Sequence, residues 1–304
     1  MNKNTAYIRY TWFVLLMVFL VILAGGVVRM TQSGMGCPDW PRCFGRWVPP
    51  TSESQLPPDF EKYLKAQDID HSFNAYHTWI EYINRLLGAL LGIFILVHTG
   101  WSFFKFRKTH RSVVWLSVFM LLAVGFQGWL GKKVVDANLS VVKVTAHMLV
   151  ALLIAALPVW IVSRLRENKT IAGPLLKRVA VMALLLVLSQ VILGTGVREE
   201  IDGISKALGY AHRDLWVRDV GDIFILHRSF SWLVAAAGIF LFWRSRSFPT
   251  LSVYRWLILV PVCLSAITGL VMNYLDMPAL AQPIHLVSAS TLVVGLLAFR
   301  LELK

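Results

Sequence analysis

The sequence predicts an all-α integral membrane protein: eight transmembrane helices forming two pseudo-symmetric four-helix bundles, with N- and C-termini cytoplasmic. Three observations carry that expectation. Of the 304 residues, 57% are hydrophobic and only 15% charged, and the mean hydropathy of +0.62 is far from that of a soluble domain. Eight apolar runs approach the roughly 20 residues that a helix needs to cross about 30 Å of hydrocarbon. These runs are continuous and rich in Leu, Ala, Gly and Val, whereas barrel strands would alternate over about ten residues.

The spans fall at 11–28, 78–101, 113–130, 141–163, 179–197, 222–243, 251–272 and 281–299. The first follows MNKNTAYIRY directly and has no small-residue cleavage site near its end. No cleavable signal or arginine-rich transit peptide is therefore expected, and a bacterial cytoplasmic (inner) membrane is the expected location. The outer loop 29–77 contains GCPDWPRCFG, where an oxidising exterior favours a Cys37–Cys43 disulfide over free thiols or a metal pair. The second span opens on WIEYINRLLG, which puts Glu81, Asn84 and Arg85 within five positions. The fourth carries His147 in AHMLVA, the sixth His227 in ILHRSFS and the eighth His285 in IHLVSA. Cys263 in the seventh span is expected as a small apolar core residue.

A net charge of +13 invites a nucleic-acid reading, but the basic residues sit in short loops between apolar spans. Headgroups and insertion topology account for them, so the partner is a lipid bilayer and not nucleic acid. With the N-terminus inside, sixteen Lys and Arg from Lys3 to Lys304 share one side with only Glu167 and Glu302. That bias sets both termini in the cytoplasm.

The spans also repeat. LAGGVVR ends span one and ILGTGVR span five; Asn84-Arg85 falls opposite His227-Arg228, and His147 opposite His285. Asn84 precedes His147 by 63 positions and His227 precedes His285 by 58. Two four-helix units follow, 11–163 and 179–299, joined by the cytoplasmic linker 164–178. Each has an even number of spans, so their pseudo-two-fold axis runs along the membrane normal. The paired polar residues lie four to six positions inside the outer edge, roughly 6–9 Å at 1.5 Å per residue.

Ionisable groups within a bilayer cost about 2.5–3.5 kcal/mol each, so they face a bundle interior and mark function. His227 and His285 sit at matching depth in otherwise apolar segments of one unit, where facing helices build cofactor sites. Two such imidazoles can ligate a haem iron axially; the alternative is a hydrogen-bonded core histidine. Arg228 can pair with a haem propionate or snorkel toward phosphate. His77, Glu81 and Asn84 share one helical face and read as the wall of a pocket opposite His147. Alternatively, Glu81 and Arg85, four apart, neutralise each other. His98 and His110 toward the cytoplasmic side, and His71 and His212 in outer loops, are expected as surface residues.

These residues resemble the haem A synthase family over essentially the whole chain: GGVVRMTQSGMGCPDWPRCFG, EYINRLLG, GFQGWLGKKVV, AHMLVA, HRSF and HLVSAS. The resemblance implies a cofactor haem b in one unit, ligated by His227 and His285. The other unit then receives haem O and oxidises a ring methyl through hydroxylated stages to the formyl group of haem A. His147 matches a substrate-side ligand and Glu81 the glutamate implicated in catalysis; Asn84, His77 and Arg85 complete the substrate haem site. The family pattern has a histidine at Asn84, so the first unit is expected to hold its iron by His147 with an open or weakly held sixth position. The outer loop 198–221 has no cysteine, so a second disulfide known in some members is absent. Implied partners are a haem O synthase (farnesyltransferase) as donor, a quinone or other membrane electron carrier, and haem-copper oxidase assembly downstream. The rival readings are a di-haem b-type membrane electron carrier, which has no need of Glu81, and a transporter, which would be expected to have broken helices near the midplane.

Overall fold

A computed structural model describes residues 4–61, 73–136, 141–167 and 169–304; Lys3 and His71 lie outside the described residues. Eight long helices dominate: α1 (Thr5–Met30), α2 (Ala75–Phe106), α3 (Arg111–Asp136), α4 (Val141–Leu165), α5 (Pro174–Ala207), α6 (Asp222–Arg244), α7 (Ser252–Tyr274) and α8 (Ala281–Glu302). All eight are long and apolar enough to cross a membrane. Among the described residues extended pairing is limited to two isolated bridges, Cys43 with Arg46 and Thr170 with Leu303.

Each helix runs past its predicted span, because backbone hydrogen bonding continues beyond the hydrocarbon edge. α5 does so most. It starts with Pro174 in its first turn, where the missing N–H costs nothing, and its 34 residues measure about 51 Å at 1.5 Å each. The outer extension holds because Val197, Ile201 and Ser205, spaced four apart, are buried. Val197 and Ile201 pack on Trp216, Val217 and Met277. α2 begins at Ala75, capped by the Asn74 side chain accepting from the His77 N–H. Asn84 therefore lies nine residues inside its helix, while His147, His227 and His285 lie six, five and four inside theirs.

α1 packs on α2 and α4, and α3 on α2 and α4; α5 packs on α6 and α8, and α7 on α6 and α8. α8 also touches α1 and α4, and α4 touches α5. The closest approach is α7 to α8. A Cβ at Gly295 would stand 2.5 Å from the Leu257 carbonyl oxygen, so only glycine fits. The two largest groups of core residues lie one around Tyr7, Val14, Ile95, Met120 and Ile161, the other around Ala180, Val187, Leu241, Ile258 and Phe299.

Large apolar side chains such as Leu16, Ile93, Leu122, Leu185 and Trp232 point outward, as lipid-facing helices require. Two expectations fail, each for its own reason. Cys263 is exposed and not in the core, because the outer surface of these helices is as apolar as their interior. His98 is fully buried and not on the surface: α2 continues to Phe106, and Thr11 of α1 meets the His98 Nε2 at 3.0 Å.

Candidate functional site

A cavity of about 1060 Å³ opens among α1–α4 and the outer extension of α5. That is at or above the roughly 300–1,000 Å³ of ordinary small-molecule sites. It has two poles. Val18, Ile22, Leu91, Leu121, Ala151 and Ile154 line the deep end; Arg29, Lys132, Arg198, Glu199, Asp202 and Lys206 line the mouth. Glu81, Asn84, Arg85, Gln127 and His147 lie in the wall between.

The first outer loop fixes that wall. Cys37 and Cys43 form a disulfide, and the Asp39 carboxylate accepts the N–H groups of Phe44 (2.6 Å) and Gly45 (2.9 Å), which tightens the turn. The loop crosses α2 at Gly36, where a Cβ would stand 2.4 Å from the His77 carbonyl. Glu81 is 4% exposed: one oxygen accepts the Cys37 N–H at 2.7 Å and the other accepts from Arg85. Arg85 also donates to the carbonyls of Cys37 (2.8 Å), Asp39 (2.5 Å) and Arg42 (3.2 Å). Glu81 is thus paired with Arg85 and also lines the cavity. His77 does not join it. It stands half-buried beside Tyr76 at the start of α2, and is not one of the residues lining the cavity.

His147 gives its carbonyl to the Gln127 side chain at 3.0 Å, and its Nδ1 is buried with no partner among the described residues, as is the Asn84 Oδ1. Its ring edge lies 3.4 Å from where a Cβ on Gly131 would be.

α5–α8 carry a matching set. The Gln190 side chain donates to the His227 carbonyl at 3.0 Å, and the His227 Nδ1 has no partner among the described residues. A Cβ at Gly194 would stand 3.1 Å from the His227 ring. The Thr268 hydroxyl donates to the Leu264 carbonyl at 2.6 Å and meets the His285 Nδ1 at 2.9 Å. With its proton so committed, Thr268 is an acceptor for a tautomer protonated at Nδ1, and that tautomer would present the His285 Nε2 lone pair to a metal. His227 and His285 are electrostatic neighbours. Arg228 is exposed, its guanidinium 5.7 Å from the Phe224 ring centroid.

Among the described residues no three His, Cys, Asp or Glu gather around one point as a bare metal ion would require. A porphyrin, which brings four nitrogens of its own, needs only axial imidazoles. Glycines beside three rings and unpartnered ring nitrogens fit that need. The sequence reading missed Gln127, Gln190, Thr268 and the glycines. One signal was present: Gly131 precedes His147, and Gly269 precedes His285, by the same sixteen positions.

A family model described as "Cytochrome oxidase assembly protein" (COX15-CtaA) matches residues 8–297. A protein of Bradyrhizobium diazoefficiens named "Heme A synthase" is 30% identical over 91% of this chain and 87% of its own length. Proteins of the same name from Shewanella oneidensis (29% identical, 61% of this chain) and Sphingopyxis alaskensis (30%, 51%) are matched over 56% and 47% of their lengths. For those two, the match spans about half of the relative.

Proposed function

Since the chain belongs to the cytochrome oxidase assembly protein family, we propose that it is a haem A synthase of the bacterial inner membrane, with both termini cytoplasmic. Residues 11–163 form the substrate unit and 179–299 the cofactor unit. The observation that carries this reading is the cavity with Glu81, Asn84 and His147 in its wall, beside a histidine pair, His227 and His285, whose hydrogen-bonding side chains among the described residues are Gln190 and Thr268.

Haem O, delivered by a haem O synthase, is the substrate for the cavity, where His147 would hold its iron, and Asn84 has no imidazole to offer as a second ligand. Glu81 is held with one face toward the cavity by the Cys37 N–H and Arg85. From there it would move a proton or stabilise positive charge developing at the reacting methyl carbon. Arg85, with its donors spent on Glu81 and loop carbonyls, positions Glu81 and closes the loop over the site. His227 and His285 would hold a haem b, with Arg228 available to a propionate, and that group would supply one-electron transfer between the cavity and a quinone or other membrane carrier. The product haem A passes to haem-copper oxidase assembly.

The buried carboxylate separates this reading from a di-haem electron carrier, which has no use for one. The test is to express the chain with and without a source of haem O, extract the haems, and identify them by chromatography and mass. Haem A appearing only with haem O is the expected result. Haem O recovered unchanged, with haem b present, refutes the synthase and favours the carrier.

A further inference from the structure

Arg29 ends LAGGVVR in α1 and Arg198 ends ILGTGVR in α5, matching positions of two similar segments. In the fold they are neighbours that share one carboxylate. Arg29 bonds Asp202, and the Arg198 Nη2 bonds the other Asp202 oxygen at 2.8 Å. All three line the mouth of the cavity. The Arg198 side chain is 16% exposed and that of Asp202 44%, so the guanidinium lies inward of its partner.

One carboxylate does not satisfy two guanidiniums. Each has five N–H donors and no acceptor, and the Nε of Arg29 and the Nε and Nη1 of Arg198 are buried with no partner among the described residues. Arg85 is the contrast, since its donors are spent on Glu81 and three loop carbonyls. With that internal pair set aside, the charged residues lining the cavity are Arg29, Lys132, Arg198 and Lys206 against Glu199 and Asp202. Positive residues outnumber negative ones there, at the pole opposite the apolar end. The occupant this shape selects is dianionic at one edge and apolar at the other.

We propose that Arg29 and Arg198 form a carboxylate clamp for the two propionates of the porphyrin in this cavity, with Asp202 holding the guanidiniums in place until the propionates arrive. That the occupant is a porphyrin rests on the function proposed above. The isoprenoid tail of haem O then runs toward Val18, Leu91 and Ile154. The clamp also explains why α5 extends so far outward, since through it a helix of the cofactor unit completes the substrate site.

The test titrates full-length protein in nanodiscs, its haem b in place, with iron protoporphyrin IX and with the dimethyl ester of the same porphyrin. Charge-assisted hydrogen bonds set the expected preference of the wild type for the diacid at about tenfold or more. Arg29→Gln and Arg198→Gln shrink that preference to about twofold, with haem b content unchanged, and Asp202→Asn widens it. Variants that keep haem b and the full preference overturn the clamp, and a preference narrowed by Asp202→Asn overturns the placeholder role. Phosphatidylglycerol co-purifying with the wild type and lost from Arg198→Gln, at unchanged porphyrin preference, assigns the pair to a lipid headgroup and also overturns the clamp. A wild type with the arginine-dependent preference that forms no haem A sinks the synthase reading and leaves the clamp standing.

Discussion

Gly194 and Gly25 occupy matching positions in α5 and α1, and alanine at each should give opposite results for haem b. At Gly194 the added methyl meets the His227 Cε1 at 3.1 Å and Nδ1 at 3.6 Å. Ordinary carbon contacts lie near 3.5–4.0 Å, so the imidazole must yield by a few tenths of an ångström. Turning it off its rotamer costs about 0.5–1.5 kcal/mol, which weakens ligation by roughly two- to tenfold. The helix itself gains about 0.5–1 kcal/mol from replacing glycine. Thermal stability should therefore stay level while haem b is held roughly two- to tenfold more weakly and its content falls. At Gly25 a Cβ meets nothing within 4 Å. Gly25→Ala should keep all its haem b. The assay pairs haem b content, read as the pyridine haemochrome, with the low-spin spectrum and a thermal unfolding curve. A Gly194→Ala protein with full haem b and an unaltered spectrum refutes the reasoning, as does equal loss from Gly25→Ala.

Three further outcomes follow from the cavity wall. Glu81→Gln should stall haem A formation while haem b stays bound, and extraction chromatography showing the wild-type yield of haem A would remove Glu81 from the chemistry. Asn84→His places an imidazole across from His147 and should turn the haem in the first unit six-coordinate and low-spin; an unchanged spectrum after loading means that residue 84 does not face the iron. Replacing Cys37 and Cys43 by serine releases the loop that carries the Cys37 N–H to Glu81. A closed loop of this kind contributes roughly 2 kcal/mol, on the order of thirtyfold in opening. Trypsin should then cut faster after Arg42 and Arg46, and equal cutting rates with and without the disulfide would show that the bond does not hold the loop.

Hydropathy makes all eight helices legible, because crossing a bilayer demands long apolar runs whatever the tertiary structure. Polar residues in those runs make Glu81, Arg85, His147, His227 and His285 legible, since hydrocarbon tolerates them only for a reason. What stays hidden depends on which way a helix turns. An apolar run carries no mark distinguishing lipid from core, so Cys263, expected inward, is exposed. Proximity in sequence misleads at His77, which shares a face with Glu81 yet stays with Tyr76 above the cavity. The outer end of α5 reads as a loop because GVREEIDGISKA is mostly polar. Its stripe of Val197, Ile201 and Ser205 becomes meaningful only once Trp216 and Met277 are seen to cover it.

The two halves differ most clearly at one arginine. Asn84 and His227, Arg85 and Arg228, and Glu81 and Phe224 are pairs separated by the same 143 positions. In both helices the arginine reaches back one turn. In α2 it finds the Glu81 carboxylate; in α6 it lies over the Phe224 ring. A guanidinium accepts either partner, by ion pairing or by attraction to the face of the ring, so the frame survives the exchange of a carboxylate for a phenyl. On the function proposed above, the chemistry does not. Phenylalanine and a second histidine would leave the second unit no carboxylate at that turn and two imidazoles for one iron, which suits electron transfer, whereas glutamate and asparagine would give the first unit a proton-handling group and one imidazole fewer, which suits reaction.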